Sequence, residues 1–370
     1  MSMESSNTSS NMASNQNETT GERSGTALYS ISLTTQAIMT SAYIISFILG
    51  LLGNGVGIFI VFRRSRRRFC STNVLIGNMV IADLLVTLFA MPLAVEYLYI
   101  QNKWFGGLVG EMACKLIHFP NFVTISASVL TILTISIERY CAVFYHLRNS
   151  FLRKTKYLTA IIWCTSIVLA CPYLFSYTLA QDAAGQYFCV VEWGDIKQTY
   201  ASQRIYYSFV FVFLYAIPLA LMSVLYTRIA IKLWKKTATR GESFIIRKSA
   251  TKAKRKVVKL LLGLVVFFAL CSAPAHIMHY YMFYELKAWL QMPLAIKLLS
   301  FWIYNTNSAV NPIVYIVLSE RFRREFFRLA HGNWCERRTI RFSISKTKRP
   351  HRMKPTVTTR VWLQAKKKNR

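Results

Sequence analysis

Acidic residues are scarce in this chain, whose 370 residues include 15 Asp and Glu but 46 Lys and Arg. Only one acid, Asp83, lies deep within an apolar segment, whereas transporters usually carry internal repeats and several buried ionisable groups. We find no internal repeat, so a membrane transporter is kept only as the alternative from a different class. The sequence also has no Ser–His–Asp set, His-x-x-x-His pair or phosphate-binding glycine loop in a suitable setting, which argues against an enzyme.

Long apolar segments, by contrast, dominate the chain, which is 54% hydrophobic. A helix of roughly 20 apolar residues crosses a hydrocarbon layer about 30 Å thick. Seven segments reach that length, at 36–62, 72–99, 111–143, 157–178, 204–234, 252–284 and 290–318. We therefore predict an all-α membrane protein, a seven-transmembrane helix bundle over residues 36–318.

The net charge of +31 is distributed unevenly along the chain. Lys and Arg cluster after the first and third apolar segments, between the fifth and sixth, and in the tail after Arg321, while the alternate connections contain few bases. Basic loops stay in the cytosol, so the pattern predicts a multi-pass plasma-membrane protein with its N-terminus outside and its C-terminus inside. The bases then attract anionic inner-leaflet lipid, and nucleic-acid binding is not expected.

The first 35 residues are rich in Ser, Thr and Asn, and we predict that they form a disordered extracellular segment. Two glycosylation sequons lie within them, at Asn7 and Asn17, and such sites are modified only on the lumenal side of a membrane. These sites agree with the orientation that the loop charges indicate.

The eight cysteines divide by the side of the membrane on which they fall. Cys114 opens the third apolar segment and Cys189 lies between the fourth and fifth, both on the oxidising outer side. The other six map to spans or to the cytosol, where disulfides are rare. The sequence therefore predicts one bridge, between Cys114 and Cys189.

Several short motifs occur in order, each in a different apolar segment. They are Gly53-Asn54, Asn78 to Leu85 around Asp83, Glu138-Arg139-Tyr140, Trp163, Pro218 with Tyr226, Pro274, and Asn311-Pro312-Ile313-Val314-Tyr315. This ordered set resembles the rhodopsin-like class (class A) of G-protein-coupled receptors over about residues 36–335. The resemblance implies a receptor that binds an extracellular ligand and activates a heterotrimeric G protein by outward movement of the sixth helix.

Asp83 is expected to form the centre of a polar network. An acid in the middle of an apolar span costs roughly 2.5 to 3.5 kcal/mol on insertion scales, so it needs compensation. By resemblance, four side chains converge on it around water and an allosteric sodium ion: Ser128, Asn307, Ser308 and Asn311. The alternative is a neutral, hydrogen-bonded structural Asp83. No other metal and no cofactor are expected.

The resemblance also assigns a switch for G-protein coupling at the inner end of the third span. Glu138 is expected to hold Arg139 at rest beside Tyr140, and Tyr226 and Tyr315 are expected to approach Arg139 through water on activation. Some relatives add an acid on the sixth helix as a second restraint. At that position, 20 residues before Pro274, this chain has Lys254, so the second restraint is predicted to be absent.

The sixth span departs from the family pattern of Cys-Trp-x-Pro. This chain has Cys271-Ser272-Ala273-Pro274, so a hydroxymethyl group replaces the indole that usually forms the floor of the ligand pocket. We expect a larger floor and an altered activation relay.

Two ligand classes of the family lose support at single positions. Visual pigments need a lysine where this chain has Asn305, and amine receptors need an aspartate where it has Asn121. Trp104-Phe105-Gly106 in the first outer loop and a strand-like alternation around Cys189 are typical of peptide receptors. Acids on the outer side would attract a cation: Glu96, Glu111, Asp182, Glu192, Asp195 and Glu285.

The predicted ligand is therefore a cationic neuropeptide, amidated in the most specific form of the prediction, with a lipid or other small molecule as the alternative. By resemblance of position, the pocket is lined by Glu96, His118, Asn121, Phe122, Tyr207, His276, His279 and Phe301. His276 and His279 share a helix face, where packing is a commoner role than zinc binding.

The segment after the last span is predicted to lie on the inner leaflet. Residues 319–335 place Phe322, Phe326 and Leu329 on one face and arginines on the other, as in an amphipathic juxtamembrane helix. Cys335 is a candidate palmitoylation site. Residues 336–370 form a basic cytoplasmic tail, whose hydroxyl groups could be phosphorylated by receptor kinases and then recruit arrestin.

Overall fold

The computed structural model describes residues 31–65, 71–145, 155–193, 196–235 and 243–318, together with helical residues at 323–324 and 326–328. The predicted sites Asn7, Asn17 and Cys335 lie outside the described residues, as does the whole of the predicted tail, residues 336–370.

The described chain is mainly helical. The helices are α1 (Leu33–Ser65), α2 (Ser71–Ile100), α3 (Gly107–Phe144), α4 (Thr155–Ser176), α5 (Ile196–Phe211), α6 (Ile217–Lys235), α7 (Ser243–Tyr284), α8 (Leu286–Gln291) and α9 (Leu294–Leu318). Three short strands lie between them: β1 (Lys103–Trp104), β2 (Tyr177–Gln181) and β3 (Tyr187–Val191). A π-helical turn, Val212–Ala216, joins α5 to α6.

The predicted seven-span bundle is confirmed. Six spans are long and apolar enough to cross a membrane by length and composition, and α5, the π-helical turn and α6 together form the fifth. The seventh, α9, has 25 residues but carries Asn305, Asn307 and Asn311, which lower its mean hydropathy. It packs against α1, α2 and α7, where polar groups find protein partners instead of lipid.

Contacts between neighbouring helices close the bundle. α1 packs on α2 and α9, α3 on α2, α4 and α6, and α7 on α6 and α9. Large apolar side chains such as Leu52 and Leu270 face outward, as a lipid environment allows. Gly53 brings α1 close to α9, since a Cβ atom at Gly53 would lie 2.9 Å from the Cβ of Pro312.

The fifth span is not a regular α-helix over its whole length. Within the π-helical turn, the N–H of Ile217 donates to the carbonyl of Val212, five residues earlier. The next residue, Pro218, has no N–H to donate, which weakens the α-helical register at this point. The turn changes which side chains of this span face the bundle interior.

A small antiparallel sheet covers the outer end of the bundle. Its strand order is β1-β3-β2, and Leu179 pairs with Cys189 in the hairpin of β2 and β3. The predicted strand around Cys189 is therefore confirmed. The predicted disulfide between Cys114 and Cys189 is also present, with a Cα–Cα distance of 5.7 Å. It attaches the hairpin to the first turns of α3.

Candidate functional site

The carboxylate of Asp83 lies fully buried in α2 and is hydrogen-bonded through both oxygens. Its Oδ1 accepts a bond of 2.7 Å from the Ser128 hydroxyl, and its Oδ2 accepts one of 2.8 Å from the Asn311 amide. Ser308 is a third side-chain partner. Three spans, α2, α3 and α9, thus meet at one acid.

Asn54 extends this network in a way that the sequence did not predict. Pro312 lacks an N–H, so the carbonyl of Ser308 has no helical donor. The Asn54 side chain on α1 donates to that carbonyl at 3.1 Å. The sequence feature that could have indicated this contact is the polar side chain of Asn54 within an apolar span.

The oxygen atoms of this network fit the requirements of a hard cation. In the described part of the chain, the Oδ1 atoms of Asn54 and Asn307 are buried and have no hydrogen-bond partner. Carboxylate, hydroxyl and amide oxygens are the ligands that such cations prefer. Among the described residues, Asn307 makes no hydrogen bond with Asp83. Its role as a ligand of a sodium ion beside Asp83 therefore stays a prediction.

We expect Asp83→Asn to abolish any stabilisation by sodium, because the substitution removes the negative charge while keeping the side-chain shape. The unfolding temperature of the purified protein would be measured in sodium chloride and in choline chloride at equal ionic strength. Ser128→Ala should reduce the sodium effect, whereas Ser166→Ala, which loses only a bond to its own helix, should not. An equal sodium effect in wild type and Asp83→Asn would refute the ion site.

At the inner end of α3, Arg139 is held by the neighbouring Glu138. Its Nε donates to Oε2 at 2.5 Å and its Nη2 to Oε1 at 2.7 Å, and Glu138 is buried. Tyr140 stacks on Phe144, and Tyr226 hydrogen-bonds to the Ser136 hydroxyl at 3.0 Å. Tyr315 lies on α9, and its side chain is outside the described part.

Two further cations connect the inner ends of the helices. Arg255 on α7 donates to the carbonyl of Leu233 on α6, at 2.6 Å from Nη2 and 3.2 Å from Nε. Lys232 on α6 donates to the carbonyl of Phe144 on α3 at 3.3 Å and lies over the Phe144 ring. The sequence did not predict these contacts, because backbone carbonyl acceptors leave no sequence signal.

The outer half of the bundle contains a cavity of about 430 Å³. Its 18 lining residues are His118, Asn121, Phe122, Ile125, Tyr173, Tyr177, Tyr207, Ser208, Val210, Phe211, Val212, Ala275, His276, His279, Tyr280, Phe283, Tyr284 and Tyr304. Half of them are Phe or Tyr, and none of these described lining residues is Asp, Glu, Lys or Arg. Such a surface suits an uncharged ligand part with aromatic or apolar groups.

Six of the eight predicted pocket residues line this cavity, and two do not. Phe301 lies behind the wall, with its ring 5.4 Å from that of His279. Glu96 is absent from the lining, and its Oε1 is buried without a partner among the described residues.

Aromatic contacts order the cavity walls. His118 stacks on Tyr177 with ring centroids 4.1 Å apart, and Tyr207 stacks on Phe283 at 4.4 Å and on His279 at 5.0 Å. Burial raises the pKa of Tyr177 well above its usual value, so this phenol stays protonated. Tyr177 was not predicted, because its position depends on the fold of the hairpin. Phe283 could have been found from its four-residue spacing to His279.

Asn121 provides the clearest unmet hydrogen-bonding capacity in the cavity. Its side chain lines the wall, and its Oδ1 is buried with no donor in the described part of the chain. A buried acceptor without a partner costs roughly 1–3 kcal/mol. The Oδ1 atom is closed off from the cavity in this structure, so a ligand reaches it only when the Asn121 side chain rotates, and a hydrogen bond donated to it would then recover that energy.

The expected enlarged floor at Ser272 is wrong for this cavity. Ser272 is 1% exposed and is not part of the lining. An aromatic contact to this region comes instead from Tyr215 of the π-helical turn, whose ring lies 4.5 Å from that of His276. The Tyr215 hydroxyl donates to the carbonyl of Ala269 at 3.1 Å. The π-helical turn of the fifth span thus places the ring of Tyr215 near Ser272 of α7, where the family usually has a tryptophan.

We expect Ser272→Ala to raise the free energy of unfolding by about 1 kcal/mol, because the Ser272 hydroxyl is buried without a partner among the described residues. Thermal unfolding of the purified protein would measure this. Ser300→Ala is the matched control, since the Ser300 hydroxyl is buried but bonded to the carbonyl of Ile296, and it should not stabilise. A Ser272→Ala protein that unfolds at a lower temperature than wild type would contradict this account.

The outer acids differ in their availability to a ligand. Glu111 pairs with Lys115 at 2.6 Å, and Asp182 accepts two backbone N–H groups in the hairpin turn. Glu192 and Glu285 are exposed, and Asp195 lies outside the described residues. Attraction of a cationic ligand therefore depends mainly on Glu192 and Glu285 within the described part.

The bundle, the Asp83 network and the paired Glu138–Arg139 define the class of membrane receptors with seven transmembrane helices. The profile of the 7 transmembrane receptor (rhodopsin family) matches residues 53–315. The chain belongs to this family of G-protein-coupled receptors. The predicted family is confirmed, and with it the prediction that the protein is a multi-pass membrane receptor and not an enzyme. The transporter alternative has no support.

The similar proteins include several receptors named for peptides. The chain is 31% identical to galanin receptor 2b of Danio rerio over 292 residues, which cover 78% of this chain and 74% of that receptor. It is 30% identical to the QRFP-like peptide receptor of Branchiostoma floridae over 301 residues, 78% and 76% of the two chains. Identity to galanin receptor type 2 of Homo sapiens is 29% over 298 residues, 80% and 73% of the two chains. These similarities confirm the neuropeptide-receptor-like subgroup.

Proposed function

We propose that this chain is a plasma-membrane receptor for an extracellular peptide and that it activates a heterotrimeric G protein. The N-terminus lies outside and the C-terminus in the cytosol, in agreement with the basic connections between alternate spans. The names of the similar receptors, for galanin and for QRFP-like peptides, support a peptide ligand. The observation that carries the proposal is the uncharged aromatic cavity, with the unpaired acceptor of Asn121 in its wall.

The cavity favours an amidated peptide end over a free carboxylate. A terminal amide is neutral and donates N–H groups, which the Oδ1 of Asn121 can accept. A carboxylate would need a cation, and none of the lining residues is Lys or Arg. Cationic residues of the peptide remain outside, near the exposed Glu192 and Glu285.

The test is guanine-nucleotide exchange in cells that express the chain, with a set of amidated neuropeptides, each also supplied as its free acid, and mock-transfected cells. We expect a saturable response to one peptide family, with the amide more potent than the acid. Asn121→Ala should remove that preference, whereas Asn305→Ala, which loses a bond to Tyr43 outside the cavity, should keep it. Silence towards all peptides despite surface expression would refute the peptide proposal and favour a lipid or small molecule.

Signalling requires the inner end of α7, which forms the sixth span, to move away from the bundle. The bonds from Arg255 to Leu233 and from Lys232 to Phe144 oppose a separation of α3, α6 and α7. Some relatives restrain the resting receptor with an acid at the position where this chain has Lys254. These two contacts can serve the same purpose here. Activation then breaks these bonds and releases Arg139 from Glu138.

We expect Arg255→Met to raise basal nucleotide exchange, because it removes both hydrogen bonds to the Leu233 carbonyl while keeping an unbranched side chain. Exchange without ligand would be measured at matched surface expression. Arg228→Met on the exposed face of α6 is the control and should leave basal exchange unchanged. Equal basal exchange in wild type and Arg255→Met would show that this contact does not restrain the receptor.

The remaining partners act on the inner surface. We propose that receptor kinases and arrestin recognise the hydroxyl-containing tail after residue 335, and that its bases contact anionic lipid. Residues 323–324 and 326–328 are helical, which supports an amphipathic helix within 319–335. The 1–35 segment, with sequons at Asn7 and Asn17, is proposed to be extracellular, and Cys335 to be palmitoylated.

A further inference from the structure

One wall of the cavity is formed by two helix faces that lie opposite each other. Ser208, Phe211 and Val212 lie on one face of the fifth span, as their spacing of three and four residues requires. Tyr280 and Tyr284, spaced by four, lie on one face of α7 and stack on each other at 5.4 Å. We call these five residues, all of which line the cavity, the α5–α7 seam.

The side chains of the seam contact both the cavity and the outer surface of the bundle. Phe211 is 41% exposed, Val212 39%, Tyr280 53% and Tyr284 46%. Phe283, in the same cavity, is 5% exposed. A side chain that lines a cavity and is also widely exposed lies where the wall is one side chain thick. In a membrane-spanning bundle, the layer outside this wall is lipid.

Hydrogen bonds cross this wall at its two ends. The Ser208 hydroxyl bonds to the Tyr284 hydroxyl at 2.6 Å, and the Tyr215 hydroxyl donates to the Ala269 carbonyl at 3.1 Å. Between these levels, no hydrogen bond joins the two segments among the described residues. Seven residues of helix span about 10 Å, and within this height the Phe211 ring meets the His276 ring edge-on, with centroids 5.4 Å apart. We call this stretch the window, because side-chain contacts alone close it. An alkyl chain, whose contacts lie at about 4 Å, can pass through the window when the Phe211 ring rotates away from His276.

We propose that the α5–α7 seam is a lateral portal through which an uncharged single-chain amphiphile enters the cavity from the bilayer. The alkyl chain would lie among the Phe and Tyr rings, and a hydroxyl or amide head group would bond to Ser208, Tyr284 or His276. A charged head group is excluded because no lining residue in the described chain carries a full opposite charge. This site rests on the membrane bundle and not on the peptide proposal, so either can fail alone.

The test uses the full-length receptor in nanodiscs that contain a monoacylglycerol with a diazirine on its acyl chain. After illumination, mass spectrometry locates the labelled residues. We expect label on Ala275 and Phe283, which are 1% and 5% exposed and are reached only from inside the cavity. Excess unlabelled monoacylglycerol should remove it. Label confined to outward-facing side chains would overturn the proposal.

Two variants separate the portal from entry at the outer mouth. Val212→Trp fills the window and should abolish the interior label, whereas Phe211→Ala widens it and should increase that label. Val224→Trp is the matched control, because Val224 is 54% exposed on α6 and does not line the cavity. It should label as wild type does. Equal interior labelling of Val212→Trp and Val224→Trp would show that the ligand does not pass the seam.

A charged probe tests the head-group preference. The same acyl chain on a glycerol phosphate should label outward-facing residues but leave Ala275 and Phe283 unlabelled. Interior labelling by both probes to the same extent would overturn the preference for an uncharged ligand.

Discussion

Replacement of Arg139 by alanine is expected to abolish ligand-driven nucleotide exchange on the G protein while ligand binding persists. Arg139 lies at the inner end of α3, outside the ligand cavity, and at rest its guanidinium is bound by both oxygens of Glu138. In the activation that we propose, α7 moves outward and this cation becomes available to the G protein. Without Arg139, the ligand still binds in its cavity, but the receptor lacks the side chain that we propose to contact the G protein.

The measurement combines nucleotide exchange with ligand binding on the same cells at matched expression. Arg228→Ala on the exposed face of α6 removes an arginine at a similar depth and should leave exchange intact. Glu138→Gln should act in the opposite sense and raise basal exchange, since it weakens charge-assisted hydrogen bonds worth roughly 1.5–3 kcal/mol. Normal exchange in Arg139→Ala would exclude Arg139 from the coupling mechanism.

Replacement of Cys114 by serine is expected to lower the free energy of unfolding by up to about 4 kcal/mol. The bridge joins residues separated by 75 positions, and the entropy lost by the unfolded chain grows with the length of the closed loop. It also attaches the hairpin to α3, close to Tyr177 and His118 in the cavity wall. Ligand affinity should therefore fall together with stability.

Thermal unfolding and ligand binding of purified protein would measure this effect. Cys189→Ser should match Cys114→Ser, and the double variant should be no worse, because all three lack the same bond. Cys164→Ser, at an exposed free thiol on α4, is the control and should behave as wild type. If Cys114→Ser unfolds and binds as wild type does, the bridge contributes neither stability nor shape.

Much of the candidate site could be predicted from particular residues. Asp83 was recognisable because an acid within an apolar span demands polar partners, and Ser128, Ser308 and Asn311 do bond to it. Asn54 was missed as a partner of the Ser308 carbonyl, because the two residues are 254 positions apart and a carbonyl has no sequence signature. The contact of Arg255 was missed for the second of these reasons, because its acceptor is the backbone carbonyl of Leu233.

Six of the eight residues predicted for the pocket line the cavity, and Glu96 and Phe301 do not. His276 and His279 share a helix face by their spacing, so their common orientation could be read from the sequence. The π-helical turn changed the facing of the fifth span and brought Tyr215 against His276, an arrangement that a regular helix would not give. Ser272 was wrongly expected at the floor of the cavity. That prediction assumed that replacing the usual tryptophan by serine leaves empty space in the ligand pocket.

The sequence alone determined the seven spans, their family motifs and the single outer disulfide. Backbone groups in a hydrocarbon layer must be hydrogen-bonded inside the protein, and only a helix does this within a single segment. A continuous apolar run of more than about 20 residues fits a helix that crosses the membrane, because a membrane strand needs only about 9–11 residues. The tertiary structure decided which polar atoms are paired, where the cavity wall is thin, and that the Asn121 acceptor has no donor in the described chain. These features depend on contacts between spans that are far apart in the chain, and such contacts follow from packing rather than from local pattern.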